Sequence, residues 1–487
     1  MKYSGFHSKL FVVTLAAALV LTACDSAPDG SVNTESADGL VKTIHPATLT
    51  AISAAAGEKS TPEPDPLGIP WSDLNGLEIT FWYIWDLDEP GTGMNAIVDR
   101  FNLENEWGIR VTPHDHGSTH DPMESIETAI NEGLVPHVMV SDAPVISSWY
   151  QAGLTVDLTP YLSDPAAGMP IKEQNDYYSG IFELFILPDD IRPGLPFTQS
   201  IQVLYYNQTW AAELGFSQAP GSSSQLIDQV CAAAEGFKET KDLAGGIILY
   251  PEAANILGWV YAYDGYLQDQ NDGPYQFSSP EVVKVARDWQ DLSKDKCGFT
   301  ISQYPNPMAR EIEFTKFNQR QTLVVMNSAQ HLDQVHLQAN QTGRADDWTM
   351  LPFFGPDGKK AVAAEIQSGV IFNTTPEEQL AAWLFLKFLT SPEVQAEWVE
   401  YSYLYPTRKD SLRFLRDFRT ENPDWAKGLN VLKYVQTQPL DPSWEVVQQA
   451  VGDAFEQLLM EDYPGPVELL AELDLTAEEL RTFIGDQ

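Results

Sequence analysis

The pattern of apolar and polar positions becomes regular at Ile79–Trp85 (ITFWYIW), an apolar and aromatic run that predicts a buried strand. A turn over Asp86–Gly93 leads into Met94–Asn102, where Ile97, Val98 and Phe101 share one helical face, and Ile109–Pro113 predicts a second strand. Strand, helix and strand in this order predict a right-handed crossover between parallel strands, with ligands placed off the strands' carboxyl ends. That rule brings Trp82, Tyr83 and Trp85 to a ligand mouth, with core packing as the competing role for each. A helix over Met123–Glu132 and a strand over Val138–Ser141 follow, and Asp142 then stands at a strand's carboxyl end.

Midway along the chain, Pro196–Asn207 (PFTQSIQVLYYN) contains the β-branched and aromatic run Gln202–Tyr206, which predicts a strand. Gln208–Gly215 follows as a helix closed by glycine. Because α/β patterning lies on both sides, this stretch is expected to carry the chain from one lobe to another. Beyond it we expect helices over Ser224–Phe237, Ser279–Lys294 and Pro376–Leu389, with another starting at Pro392. Strands are expected over Gly246–Tyr250, Thr322–Met326 and Ala361–Asn373, and Trp425–Phe483 reads as mostly helical. Leu257–Tyr266 is unusually aromatic and is read as a loop. No period of 20–50 residues recurs, which excludes solenoids and propellers.

Composition narrows the class. The chain has 487 residues, 43% of them hydrophobic, enough for a large core and more than one domain. Its 29 basic and 69 acidic residues give a net charge of -40, which argues against nucleic acid and anionic membrane surfaces, since both need a basic footprint. At the N-terminus Lys2 and Lys9 precede the apolar run Leu10–Leu21, too short to span a bilayer, and the sequence Leu21-Thr22-Ala23-Cys24 follows. This resembles a bacterial lipoprotein signal over 1–23, with Cys24 as the lipid anchor; the competing reading is a plain secretory signal. Residues 24–70 are rich in Ala, Ser, Thr, Pro, Gly and Asp and read as a flexible tether. Cys231 and Cys297 would then reside in an oxidising compartment, either bridged or as two small buried hydrophobes.

Several segments together resemble the extracellular solute-binding proteins, family 1. They are Phe81-Trp82 with Arg100-Phe101-Asn102, Pro196-Phe197 with Leu204–Asn207, Phe317–Met326, and Ala381–Gln395 closing on Tyr405-Pro406-Thr407-Arg408. The nearest branch contains the glycerol-3-phosphate-binding proteins. The resemblance implies an α/β, two-lobed periplasmic-binding-protein type II fold with ligand in the cleft. It implies an N-terminal lobe of 75–198 plus 367–402 and a C-terminal lobe of 203–363 plus 407–487, with hinge strands near 198–203, 363–367 and 401–407. It also implies a carbohydrate ligand, delivery to the membrane permease subunits of an ABC importer, an extracytoplasmic lipid-anchored location, a monomer, and neither cofactor nor catalysis.

Sugar recognition needs flat apolar faces and planar hydrogen-bonding groups. The candidates are Trp85, Asp142, Gln199, Ser200, Trp259, Tyr261, Ser328, Gln330, Gln367, Ser368, Tyr405 and Arg408. Of these, Asp142, Gln199, Ser200, Ser328 and Ser368 follow from the resemblance, whereas Trp259 and Tyr261 rest on the expected loop. Core packing competes for every aromatic, and a solvated surface charge competes for Asp142 and Arg408. Family members often carry paired glycines where this chain has Gln367-Ser368-Gly369, which favours a neutral sugar over a small phosphorylated ligand. Glycerol 3-phosphate or a related polyol phosphate is the alternative, and a secreted carbohydrate-active enzyme a further one. His114, His116 and His120 crowd one loop, where a transition-metal site is the sharper reading and a polar loop the plainer one.

Overall fold

In the computed structural model the described residues are 65–485, apart from 86–88, 116–125, 127, 131, 179, 240–243, 269–272, 302–305, 344–345 and 461–464. The signal, Cys24, almost all of the tether, His116 and His120 therefore lie outside the described residues, as does half of the expected helix Met123–Glu132.

Among the described residues twelve strands follow in chain order: β1 Glu78–Tyr83, β2 Arg110–Asp115, β3 Val138–Asp142, β4 Leu195–Asn207, β5 Ile247–Ile248, β6 Gly298–Phe299, β7 Val324–Ser328, β8 Trp348–Leu351, β9 Phe353–Phe354, β10 Lys360–Ile371, β11 Tyr405–Pro406 and β12 Val435–Thr437. Their main path is β2-β1-β3-β10-β4-β7-β5-β6. The expected parallel pairing holds within β2-β1-β3 and within β7-β5-β6. It fails in the middle, where β10 runs antiparallel to both β3 and β4, and β4 antiparallel to β7. The reason is that β4 and β10 are long strands shared by the two halves of the sheet, and each enters its neighbour's half from the opposite end.

β4 pairs with β10 through Leu195–Ile201 and with β7 through Gln202–Tyr206. β11 joins it at Gln199 and Thr198. The aromatic pair at its far end splits between two cores: Tyr206 packs with Leu204, Leu226 and Val260, while Tyr205 packs with Phe314, Val325 and Trp348. Both tyrosines are core residues, which follows from the alternation of side chains along a strand.

Each half buries its own hydrophobic centre. On the β1-β3 side, Phe81, Phe101, Trp383, Phe385 and Trp398 form one cluster. The helix Pro376–Leu389 supplies much of it and begins with a full capping box, Thr375 accepting from the Glu378 N–H while the Glu378 side chain accepts from the Thr375 N–H. Gly369 allows that helix to lie against β10, because a Cβ there would stand 2.2 Å from Leu386 Cδ1. On the other side, helices Ser223–Ala234, Ala253–Ala262, Pro280–Lys294, Trp444–Leu458 and Pro466–Gly485 enclose Trp259, Trp289 and Trp444. A disulfide joins Cys231 to Cys297. No helix among the described residues is long and apolar enough to cross a membrane.

Candidate ligand-binding site

The centre of the sheet sets a row of polar side chains across three strands. In register, Asp142 of β3 stands beside Gln367 of β10, and Gln367 beside Thr198 of β4; one step along, Glu365 stands beside Ser200. Successive side chains of a strand point to opposite faces. Ser200, Gln202, Glu365 and Gln367 therefore share one face with Asp142, and their even or odd neighbours turn away from it.

That face opens on a cavity of about 100 Å³, lined by Gln202, Tyr250, Glu252, Glu313, Asn327, Ser328, Gln330, His331 and Glu365. The Ser200 hydroxyl donates to Glu365 Oε2 at 3.3 Å. At the end of the adjacent strand β7, where Asn327 and Ser328 stand in register with Val203 and Gln202, Asn327 Oδ1 meets His331 Nδ1 at 2.8 Å, and Asn327 Nδ2 donates to the Glu313 carboxylate. Ser328 Oγ accepts from the Gln330 N–H at 3.4 Å. Tyr250 and Glu252 follow β5, at its carboxyl end, where the general rule for such sheets places ligand contacts.

Burial dominates the electrostatics. It pushes the Asp142 carboxyl up to about 7, with Glu365 and Glu445 adding repulsion. It also pushes Glu365 up, against the lowering effect of the Ser200 hydroxyl. A carboxyl raised in the folded state carries no penalty below its unfolded value, near pH 4, and carries the full penalty above its folded value, near pH 7. Asp142→Asn is thus expected to leave stability unchanged at pH 4. At pH 8 it should raise stability by roughly 1–2 kcal/mol, since part of the side chain remains exposed and solvent screens the rest. Urea unfolding at the two pH values measures this; an equal gain at both would refute the charge argument.

The remaining candidates divide sharply. Ser328 and Gln330 line the cavity, and Asp142, Ser200 and Gln367 lie on the same sheet face as its Glu365. Gln199, adjacent to Ser200, turns the other way, and its Nε2 donates to the Pro406 carbonyl at 2.8 Å, tying β4 to β11. Ser368 is likewise fully buried on the far face. Trp85, just past β1, packs at 4.3 Å from Trp398 and 6.0 Å from Phe197. Trp259 and Tyr261 occupy the helix Ala253–Ala262 rather than a loop, and every residue of that helix is buried. Trp259 Nε1 points to Met326 Sδ, and the Tyr261 hydroxyl donates to the Thr437 carbonyl at 2.6 Å. Tyr405 stacks on Trp425 at 4.9 Å and donates to its carbonyl, so core packing accounts for it. Arg408 is paired with Asp176 at 2.9 Å and lies over the Tyr177 ring, well inside the protein rather than on a solvated surface. His114 is exposed on β2, and among the described residues no group of three or more His, Cys, Asp or Glu is placed to hold a metal.

Sequence reasoning missed Gln202, Tyr250, Glu252, Glu313, Asn327, His331 and Glu365. Two of these carried a signal. Gln202 lies two residues from Ser200 and so shares its face, and Glu365 is the one charged residue in the run Ala361–Ile371.

A mixed sheet whose long central strands serve two α/β halves, with a polar cavity at their junction, defines a two-lobed binding protein of the periplasmic type. The chain belongs to the bacterial extracellular solute-binding protein family, whose profile matches residues 96–428. It is 23% identical over 428 residues to the sn-glycerol-3-phosphate-binding periplasmic protein UgpB of Escherichia coli K12, covering 78% of this chain and 91% of that protein. Among solved structures, the sugar-binding protein MalE from Xanthomonas citri superposes with a TM-score of 0.71 at 19% identity, covering 84% of this chain and 99% of MalE. UgpB from Mycobacterium tuberculosis, in complex with glycerophosphocholine, superposes with a TM-score of 0.62 at 15% identity, covering 83% of this chain and 98% of that one. Members of the family capture small molecules outside the cytoplasm for delivery to membrane permeases.

Proposed function

We propose that this protein is the receptor of an ABC importer that captures a carbohydrate in the cleft at the β4-β10 junction and hands it to the membrane permease. The observation that supports the reading best is the polar row Asp142-Gln367 and Glu365-Ser200, laid across β3, β10 and β4 and continued at the cavity by Gln202 and by Asn327, Ser328 and Gln330 at and after the end of β7. Planar acceptors and donors of this kind suit sugar hydroxyls. MalE of Xanthomonas citri, described as sugar-binding, is consistent with it.

The cavity of about 100 Å³ is small beside the roughly 300–1,000 Å³ of ordinary small-molecule pockets. Ligand entry thus requires the two walls to part. Thr198–Val203, Ala363–Gln367 and the segment at Tyr405–Thr407 are the connections about which they would move, and contacts made only in the closed form would favour closure. Helix Trp444–Leu458 meets Ala143–Gln151 across the cleft, so it would separate on opening.

We further propose that Cys24 carries a lipid anchor, that residues 24–70 hold the receptor off the membrane, that the protein acts as a monomer, and that it binds without catalysing a reaction. Glycerol 3-phosphate remains the alternative ligand, favoured by the UgpB relatives and opposed by the acids lining the cavity. A thermal-shift screen over mono- and oligosaccharides, glycerol 3-phosphate and related polyol phosphates discriminates them, because a ligand at 100 times its Kd stabilises by about 2.7 kcal/mol. A sugar should raise Tm and be recovered intact. A rise with the polyol phosphate alone supports the alternative, and turnover of the sugar overturns binding without chemistry.

A further inference from the structure

The helix Pro392–Ser402 ends on a residue of uncommon conformation. Tyr403 has a φ of 56°, in the left-handed region that glycine and asparagine enter readily and a bulky residue does not. Its backbone is held there from both sides: the Tyr403 N–H donates to the Val399 carbonyl at 2.9 Å, and its own carbonyl accepts from Trp425 Nε1 at 2.9 Å. Closing a helix in this way asks for no side chain, so the ring has to be accounted for separately. Phe418 covers part of it, with ring centres 5.4 Å apart, and Tyr403 is still 38% exposed.

Tyr403 lines a second cavity, of about 530 Å³ against about 100 Å³ for the cavity at the polar row. Gln330 lines both, so the two volumes meet at one side chain. The first is smaller than an ordinary small-molecule pocket and the second is of ordinary size, which gives a ligand entering at the polar row room to continue past Gln330. The Gln330 side chain is exposed there and offers a donor and an acceptor. Asn422, on the wall of the second cavity, gives its Nδ2 to the Phe418 carbonyl at 3.0 Å and keeps its Oδ1 as an acceptor. A half-open ring flanked by two amides suits a sugar, whose C–H face lies on the ring while its hydroxyls meet the amides.

We propose that the ligand is an oligosaccharide of two or more rings, one held at the polar row and the next lying on Tyr403, with Gln330 hydrogen-bonding the stretch between them. This deepens the reading of the cleft as a carbohydrate site and rests on it. Tyr403 is then the residue that selects for length.

Isothermal titration of the full chain at pH 7 tests this with mono-, di- and trisaccharides of the α-1,4-glucose, β-1,4-glucose, β-1,4-xylose and β-1,4-galactose series, and with sn-glycerol 3-phosphate. In the series that binds, the disaccharide should bind roughly tenfold or more tighter than the monosaccharide. Tyr403→Gly, which suits the backbone and removes the ring, should bring that ratio down towards one, and Tyr403→Phe should restore it. The urea midpoint of Tyr403→Gly should hold; if that variant does not fold, Tyr403→Asn takes its place, since asparagine also accepts the left-handed region. A ring that serves packing alone gives the reverse, a lower midpoint with an unchanged ratio, and that result overturns the inference. Mono- and disaccharides that bind equally well also overturn it and leave sugar capture standing. Binding of sn-glycerol 3-phosphate with no sugar bound overturns both, as does failure of every probe.

Discussion

Arg408→Ala is expected to lower the unfolding free energy by about 3–5 kcal/mol, because it leaves a carboxylate in the interior without its cation. Arg408 is 2% exposed; its Nε donates to Asp176 Oδ2 at 2.9 Å. Its guanidinium also lies 5.0 Å from the Tyr177 ring centre, and its backbone N–H donates to Gln395 Oε1 at 3.0 Å. The group thus fastens the loop around Asp176 to the segment that follows β11. Lysine would keep the charge and lose the planar contact with the ring, so Arg408→Lys should lie between the two. Denaturant titration measures the loss. A variant with an unchanged midpoint and lost sugar binding would instead make Arg408 a ligand contact.

The second large effect belongs to the disulfide. Cys231 and Cys297 are separated by 66 positions, and closing a loop of that length removes unfolded-state entropy worth about 4 kcal/mol in the chain-entropy account. Reduction, or the pair Cys231→Ala and Cys297→Ala, should therefore lower Tm by several degrees, with the effect centred on helix Ser223–Ala234 and the β6 edge. Thiol titration of the native protein before and after reductant provides the control. Two reactive thiols before reduction, with no change in Tm after it, would contradict the bridge. A bridged pair also agrees with an exported protein.

Most elements were legible because their signals were local. Helix Pro376–Leu389 has proline at its first position and Thr375 and Glu378 in capping spacing, and it forms with the expected bounds. Helix Pro280–Lys294 was equally plain. The aromatic run Leu257–Tyr266 was not, because the helix Ala253–Ala262 is buried all round and has no polar face to reveal a period. The two-residue strands Ile247–Ile248 and Gly298–Phe299 are too short to carry a pattern of their own and owe their placement to neighbouring strands.

The site was half legible for a related reason. Choosing Gln199 with Ser200, and Gln367 with Ser368, took both members of adjacent pairs although a strand presents only one of each to a given face. Register decides which one, and register depends on pairing partners far away in sequence. The wall made by Glu252, Glu313 and His331 comes from three separate segments, and 69 acidic residues hide two carboxylates well. Arg408 and Tyr405 misled for the opposite reason: they sit in a motif shared with a binding family, and their side chains hold the scaffold behind the cleft.

The central claim is capture by closure of a hinged cleft, and small-angle scattering of the full chain tests it directly, using the sugar that gives the largest thermal shift. The radius of gyration should fall on saturation, with the sugar recovered chemically unchanged. Tight binding with no change in dimensions would contradict the account.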